Sequence, residues 1–409
     1  MFGKHKRFCD RKKGKKKHAL FIVENNPVPN DPRVWNEAVA VKEFGYEVTV
    51  ICPLTKQAAL KKDKINGINI LRHYSPSMTQ GKVPFLFEYG NALFWELLFS
   101  AKIYVMKPFQ IIHAANPPDH IFLIAILFKP FGVKFIFDHH DLSPENYLAK
   151  FHKRDFFYYI LFLMEKLTFR TADLVISTNE SYKEIAVNRG KKDVKDVFVV
   201  RNGPDLQNYY FMEPNEKLKS GFEYLVGYVG VIGNQEGIDI LLRVVQYIVK
   251  VRKIVNIKFT IVGTGPDWMN MLQMSRELGI EKFVCFTGFI PYQELHEILA
   301  TADVCVNPEF RNSFTDKSTM LKIMDYMVFG KPIIQFETTE GKITAEKASV
   351  YVKENSEEKF AEAIINLLND PKKRMKMGEY GRNKIKHHLN WNKQKIHLGN
   401  AYQYLENSF

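Results

Sequence analysis

Apolar and polar positions alternate in blocks along most of this chain. "ALFIV" (19–23), a Pro/Asn-rich loop, an amphipathic "RVWNEAVAVKEF" stopped by Gly45, and "EVTVI" (47–51) begin a strand–helix–strand series. "INILRH", "QIIHA", "KFIF", "DLVIST" and "VFVV" continue it to residue 200, with helical segments between most of them. After the polar stretch "EPNEKLKSG" (213–221) the alternation starts again: "EYLVGYVG", a helix at 237–252, "IKFTIVG", a helix from Pro266, "FVCFTGF", "ADVCVNP", another helix and "PIIQF". This pattern predicts an α/β protein of two tandem doubly wound, Rossmann-like domains, with a cleft between them and a hinge near 203–221. The expected parts are a basic tail (1–18), a first domain (19–210), a second domain (211–388) and a C-terminal helix (389–409) packing back on the first.

One helix is unusual. In "STMLKIMDYMVFGKPII" (318–334), Met320, Ile323, Met324, Met327 and Val328 form a core face, Ser318 can cap the start, and Gly330 with Pro332 stops it. Lys322 and Asp325 share a second stripe, with the lysine early and the aspartate late. Each opposes the helix dipole by ~0.3–1 kcal/mol. A lysine beside a helix N-terminus makes sense if an anion binds there; an ordinary local ion pair is the alternative.

With 409 residues the chain exceeds one compact core, and its 46% apolar content allows two. No apolar run reaches the ~20 residues of a membrane-spanning helix. The N-terminus lacks the apolar core of a secretory signal, so a cytoplasmic location is expected. Cys9, Cys52, Cys285 and Cys305 match neither a metal site nor a disulfide framework, as in a reducing compartment. Of the net charge of +13, residues 1–18 supply +8, so the basicity is largely a tail property. A solvated arm is the default reading of that tail, and anionic lipid is the sharper one. Nucleic acid is set aside as a partner, because the remainder carries no stacking motif or basic recognition helix. "FHKRDFFYYILFLMEKLTFR" (151–170) reads as a core helix, with interfacial membrane contact as the alternative.

Ligands of open α/β sheets bind beyond the carboxyl ends of the strands, and the polar residues concentrate there. "FDHHDLSPE", "RNGPD", "GVIGNQEG", "GTGP" and "NPEFRNSFTDKST" each follow a strand. Gly227, Gly230 and Gly233, then Gly263 and Gly265, allow close backbone approach, yet their spacing is neither a nicotinamide fingerprint nor a P-loop. Tight turns alone also explain them. Asp138, His139, His140 and Asp141 are the densest titratable cluster. Neighbouring side chains at a strand end alternate in direction, so four adjacent metal ligands would not converge, and no metal is expected. A histidine with an adjacent carboxylate can instead orient or hydrogen-bond a sugar hydroxyl.

The order of these motifs resembles the retaining family-4 glycosyltransferases of the two-domain GT-B fold. The matching pieces are "VENNPVPNDPRVWNEAVAVKEFGYEVTVICP", "DHHDLSPE", "VGTGP", "FTGFIPYQEL", "NPEFRNSFTDKSTMLKIMDYMVFGKPII" and "ETTEG". The resemblance implies transfer of a hexosyl or N-acetylhexosaminyl group from a nucleoside diphosphate sugar, UDP- rather than GDP-linked, held by the second domain. The acceptor, lipid-linked or a polysaccharide precursor, would be held largely by the first. Asp325 occupies the later acidic position of the family's Glu, seven residues, Glu motif and would bind ribose. The earlier position falls on Lys317, with Asp316 beside it as a substitute. Ser318, Thr319, Met320, Leu321 and Lys322 open the helix facing the diphosphate, and Phe289 and Ile290 would flank the base.

His140 matches the histidine near the transferred sugar, with Asp141 or Asp138 to orient it. Asn25, Asp31, Arg33, Asn116, Arg201, Gly233, Gly263 and Gly265 complete the substrate-binding set. Where many members carry an arginine and a lysine to neutralise the diphosphate, this chain has Val231 and Glu236. Lys322, Arg201 or Lys342, or helix N-termini, would then meet that charge, without a metal or other cofactor. The expected enzyme is cytoplasmic and associated with the inner face of a membrane; the alternative is a silent homologue serving as a scaffold.

Overall fold

The computed structural model describes residues 16–55, 60–74 and 82–408. Most of the basic tail and Cys9 therefore lie outside the described residues. The chain forms two compact units. The first takes the described residues up to Pro144, Lys153–Val200 and Lys395–Phe409; the second takes Glu145–His152 and Arg201–Gln394. The main break follows the last backbone bond to the first sheet, from Val200 N–H to Ser177 O at 2.9 Å.

The first unit is built on strands β1 (His18–Ile22), β2 (Glu47–Leu54), β3 (Lys62–Ile65), β4 (Ile68–Tyr74), β5 (Ile111–Ala115), β6 (Lys134–His139), β7 (Leu174–Ser177) and β8 (Val197–Val199). Their order is β3-β4-β2-β1-β5-β6-β7-β8, with only β3 and β4 pairing antiparallel. β1, β5 and β7 are buried at every position, as parallel strands covered on both faces must be, and this is why they read as unbroken apolar runs. Strands β2, β4 and β3 lie outward from β1 on one side, and β6, β7 and β8 outward from β5 on the other. The order switches between them, which places the crevice at the loops beginning at Val23 and Asn116.

The second unit carries β9 (Tyr224–Val229), β10 (Ile257–Val262), β11 (Val284–Gly288), β12 (Val304–Asn307), β13 (Ile333–Phe336) and β14 (Ser349–Val352), all parallel, in the order β11-β10-β9-β12-β13-β14. Its switch point lies between β9 and β12. Phe336 packs between Phe310 and Phe360 with ring centroids 4.9 and 4.8 Å away. Burying such a side chain contributes about 1.5–3 kcal/mol.

Two local expectations change. The helix expected from Ser318 spans Leu321–Val328, with Met320 in the extended N-cap position. Ser318 does not cap it; its hydroxyl donates to Phe314 O at 2.9 Å, because residues 312–318 form a turn organised by the Asn312 carbonyl. The helix stop holds, with Gly330 at φ +64°. The expected core helix at 151–170 spans Phe156–Thr171 and buries Glu165, Thr168 and Phe169 while exposing Phe156, Tyr159 and Leu163. Its apolar residues surround the whole helix, so they line the solvent side as well as the core. Among the described residues, no helix is long and apolar enough to cross a membrane.

Candidate active site

At the switch point of the first unit a buried guanidinium organises the polar groups. Arg33, in the helix Pro32–Glu43, donates to Asp138 through Nε (2.9 Å to Oδ2) and Nη2 (2.6 Å to Oδ1), and through Nη1 to Val200 O (2.9 Å). Asp31 caps that helix, accepting from Val34 N–H at 3.0 Å, which fixes the height at which Arg33 enters. Burial alone would raise the Asp138 carboxyl, but Arg33 outweighs it and holds the group far below the usual carboxylate range.

Asp138 Oδ2 also lies 3.3 Å from His140 Nδ1. Burial lowers the His140 imidazole and Asp138 raises it, with a net upward shift. His139, between them on the chain, is fully buried toward Glu165 at 3.7 Å, so the side chains do alternate as a strand end requires. Asn116 ties the loop down. Its Oδ1 accepts from the N–H groups of His140 (2.8 Å) and Asp141 (3.1 Å), while its Nδ2 donates to Asp119 (2.9 Å) and Asp141 O (2.8 Å). The Asp141 carboxylate accepts from Leu142 N–H (2.8 Å) and shapes the turn. Asp119 beneath is pushed up to about 7 by burial and by Glu165.

The second unit gathers its polar groups around Lys322, the second residue of its helix. Nζ lies 2.6 Å from Glu309 Oε1 and 3.1 Å from the Tyr228 hydroxyl, over whose ring it sits at 4.7 Å. Burial would lower the ammonium, but Glu309 outweighs it and holds the lysine above its ordinary range. Glu236 is raised by burial and by Glu309, which puts a second carboxyl close to the same lysine. One turn later, the Tyr209 hydroxyl donates to Asp325 Oδ1 at 2.5 Å. Burial pushes Asp325 up to about 6, against the lowering effect of that hydrogen bond. Tyr209 itself stacks on His296 at 5.2 Å, so the pair is fixed from behind.

The glycine loops pack on one another. A Cβ at Gly263 would meet Gly230 O at 1.9 Å, and one at Gly265 would meet Ile232 O at 2.3 Å. Ile232 N–H also donates to Thr264 O at 3.1 Å. These two glycines serve the contact between the β9 and β10 loops.

A family model for "Glycosyltransferase Family 4" matches residues 33–208, and one for "Glycosyl transferases group 1" matches residues 223–370. The chain belongs to the family-4 glycosyltransferases. Among solved structures it is similar to sucrose-phosphate synthase from Thermosynechococcus elongatus, with a TM-score of 0.78 and 18% identity over 96% of this chain and 100% of that one. It is also similar to Anabaena HepE in complex with UDP-glucose, with a TM-score of 0.70 and 15% identity over 94% and 99% of the two chains. These likenesses identify the two-unit architecture as the GT-B fold. The GPI3 subunit of phosphatidylinositol N-acetylglucosaminyltransferase from Saccharomyces cerevisiae is 20% identical over 283 residues, 66% of this chain and 58% of that protein. The matches span 57% and 58% of the length of the first curated relatives.

In this family-4 chain Arg33, Asn116, His140 and Asp141 come together in the first unit, with Asp31 at the helix start and Asn25 exposed beyond β1. In the second, Lys322 and Asp325 lie one turn apart, and Phe289 stands 86% exposed just after β11, with Ile290 next to it. Gly233 adjoins Glu236. Leu321 is exposed, while Thr319 and Met320 are half-buried. Arg201 pairs with Glu340 at 3.4 Å, and Lys342 with Glu337 at 3.3 Å. Asp316 is engaged by Arg311 Nε at 2.9 Å and by Thr339 N–H at 2.9 Å. Sequence reasoning missed Glu309, Tyr228 and Tyr209. Glu309 stands directly after a predicted strand, the place where site residues concentrate, and that was the available signal.

Proposed function

We propose that this protein is a retaining glycosyltransferase that moves a sugar from a UDP-linked donor to a lipid-linked or polysaccharide-precursor acceptor. The observation that carries the reading is Lys322 in the first turn of its helix with Asp325 one turn on, at the switch point of the second sheet. That spacing suits a nucleotide whose diphosphate meets the lysine and free helix N–H groups, and whose ribose meets the aspartate. Phe289 would stack on the base. Lys322 and the helix N-terminus would stabilise the departing diphosphate in place of a metal ion. In the first domain (19–210) His140, set by Asp138 and Arg33, would stand by the transferred sugar. The similarity to HepE, solved with UDP-glucose, supports the donor class, and that to GPI3, a subunit of a phosphatidylinositol glycosyltransferase, supports a lipid acceptor. Exposed Phe156, Tyr159 and Leu163, flanked by exposed Lys153, Arg154 and Arg170, suit contact with the anionic inner face of a membrane.

Purified protein incubated with UDP- and GDP-sugars, with and without a lipid-linked acceptor, should release UDP faster with acceptor present. No donor bound and no nucleotide released across the panel would overturn the reading. A silent scaffold is the second reading, favoured by Glu309 and Glu236 beside Lys322; it predicts that failure.

A further inference from the structure

Beside β1 and β4, three side chains from distant parts of the chain meet in the interior of the first unit. Glu24 follows β1, His73 lies in β4 and Glu96 comes from the helix Lys82–Met106; all three are buried, with 6%, 1% and 0% of their surface exposed. One ligand atom from each lies within 4.8 Å of the others. His73 Nε2 is 3.3 Å from Glu24 Oε2 and 4.0 Å from Glu96 Oε1. Among the described residues, His73 Nε2 and the Glu96 oxygens meet no hydrogen-bond donor from outside this cluster.

The tautomer of His73 sharpens this. Its Nδ1 lies 3.3 Å from Tyr74 O, a carbonyl that can only accept, so Nδ1 carries the proton. In the neutral ring Nε2 then presents a lone pair to two carboxylates. A metal-bound histidine shows the same arrangement, with its far nitrogen donating to a backbone carbonyl. Among the described residues the two Arg72 Nη groups, next on β4, are spent elsewhere: Nη1 on Leu60 O (3.0 Å) and Asp63 (3.3 Å), Nη2 on Val28 O (2.9 Å). The neighbouring cluster of Glu37, His113 and Asp138 differs in this respect, because Arg33 Nη2 sits 3.2 Å from Glu37 and 2.6 Å from Asp138 and supplies the positive charge.

We propose that Glu24, His73 and Glu96 bind one divalent metal ion, best fitted by zinc, in the first unit, with a water taking the fourth tetrahedral position. One imidazole and two carboxylates are a borderline donor set suited to Zn²⁺. Tetrahedral ligands about 2.05 Å from zinc stand about 3.3 Å apart. The His73–Glu24 separation already equals this, and a small movement of Glu96 completes it. The ion would tie the helix Lys82–Met106 to β1 and β4, and so hold the start of the loop that runs from Asn25 to Asp31. None of the three ligands is among the groups assigned to sugar transfer, so the site stands whether or not that reading does.

The test uses the full chain, stripped with chelator and dialysed against Zn²⁺. About one equivalent of zinc per chain should remain, and Tm should rise by about 5–10 °C. X-ray absorption at the zinc edge should show nitrogen and oxygen ligands without sulfur. Glu96→Gln and His73→Ala should each lower zinc content at least tenfold and abolish the Tm rise. Zinc near zero with unchanged Tm in the wild type means that Glu24 and Glu96 share a proton instead, and overturns the proposal. Zinc retained by folded Glu96→Gln and His73→Ala overturns it as well.

Discussion

Lys322 Nζ lies 2.6 Å from Glu309 Oε1, and the two side chains expose only 11% and 6% of their surface. A lysine in the first turn of a helix meets the positive end of the dipole, so it needs a nearby anion to be stable there. Glu309 is that anion. If Lys322 meets a donor diphosphate as proposed, that group would compete with Glu309 for the same ammonium, and the carboxylate would act as a brake on donor binding.

Removing the lysine alone is therefore not a clean test of phosphate contact, since it strands a buried carboxylate at a cost of about 3–5 kcal/mol. Lys322→Ala should lower the urea midpoint accordingly, whereas Lys322→Met/Glu309→Gln should keep most of the stability. In calorimetric titrations the double variant should bind UDP at least ~10-fold more weakly, a loss of about 1.4 kcal/mol. Glu309→Gln alone should bind several-fold more tightly. Unchanged UDP affinity in the double variant would remove Lys322 from the donor site.

Asp325 predicts a pH dependence. Its carboxyl is raised to about 6, so the neutral form is the one the folded state favours. The stability it contributes is present below the ordinary aspartate value and is lost as pH rises through about 6. Between about pH 4 and about pH 7, wild type should lose up to about 3 kcal/mol relative to Asp325→Asn. Ribose hydroxyls are better accepted by the ionised group, so UDP affinity should rise over the same window. A UDP titration series from about pH 5 to about pH 7.5 that is flat in wild type would refute the ribose assignment.

The strand series was legible because parallel strands buried on both faces leave unbroken apolar runs, as at Ala19–Ile22 and Ile333–Phe336. β3 escaped notice because "KDKI" sits at the sheet edge with alternate side chains exposed, and its charges hide the pairing with β4. Lys322 and Asp325 could be picked out because they contradict the dipole rule within one helix. Their partners are set by topology: Glu309, 13 residues away, is marked only by its place after a strand, and Tyr209, 116 residues away, by nothing in the sequence pattern. Arg33 and Asp138 likewise meet across 105 residues, through topology alone. Gly263 looked like a ligand-facing glycine because a gap for a phosphate and a gap for another backbone demand the same residue.

That glycine gives a stability prediction. Gly263 has φ +129°, and an added Cβ would lie 1.9 Å from Gly230 O. Gly221 has φ +86° with open space around it. Gly221→Ala should cost about 1 kcal/mol from backbone strain, and Gly263→Ala at least about 3 kcal/mol, because the β9 loop must also move. Equal urea midpoints for the two variants would show that the β9 and β10 loops do not pack as described.

The last prediction concerns whether Arg33 acts through His140. Arg33 holds Asp138 with two parallel hydrogen bonds, and Asp138 holds His140, so the orientation of the imidazole depends on a fork-shaped cation that reaches it through one intervening carboxylate. Arg33→Lys keeps the charge and loses the fork. It should cost about 1–2 kcal/mol of stability and lower turnover about 10-fold, while UDP affinity stays the same because the proposed donor contacts all belong to the second unit. His140→Ala should lower turnover at least as far, again without changing UDP affinity. In the His140→Ala background, Arg33→Lys should have no further effect on turnover, although its stability cost should persist. Steady-state rates of the four proteins in this cycle decide the matter: multiplicative losses would mean that Arg33 supports the first unit in general, and a shared loss would mean that it positions the histidine.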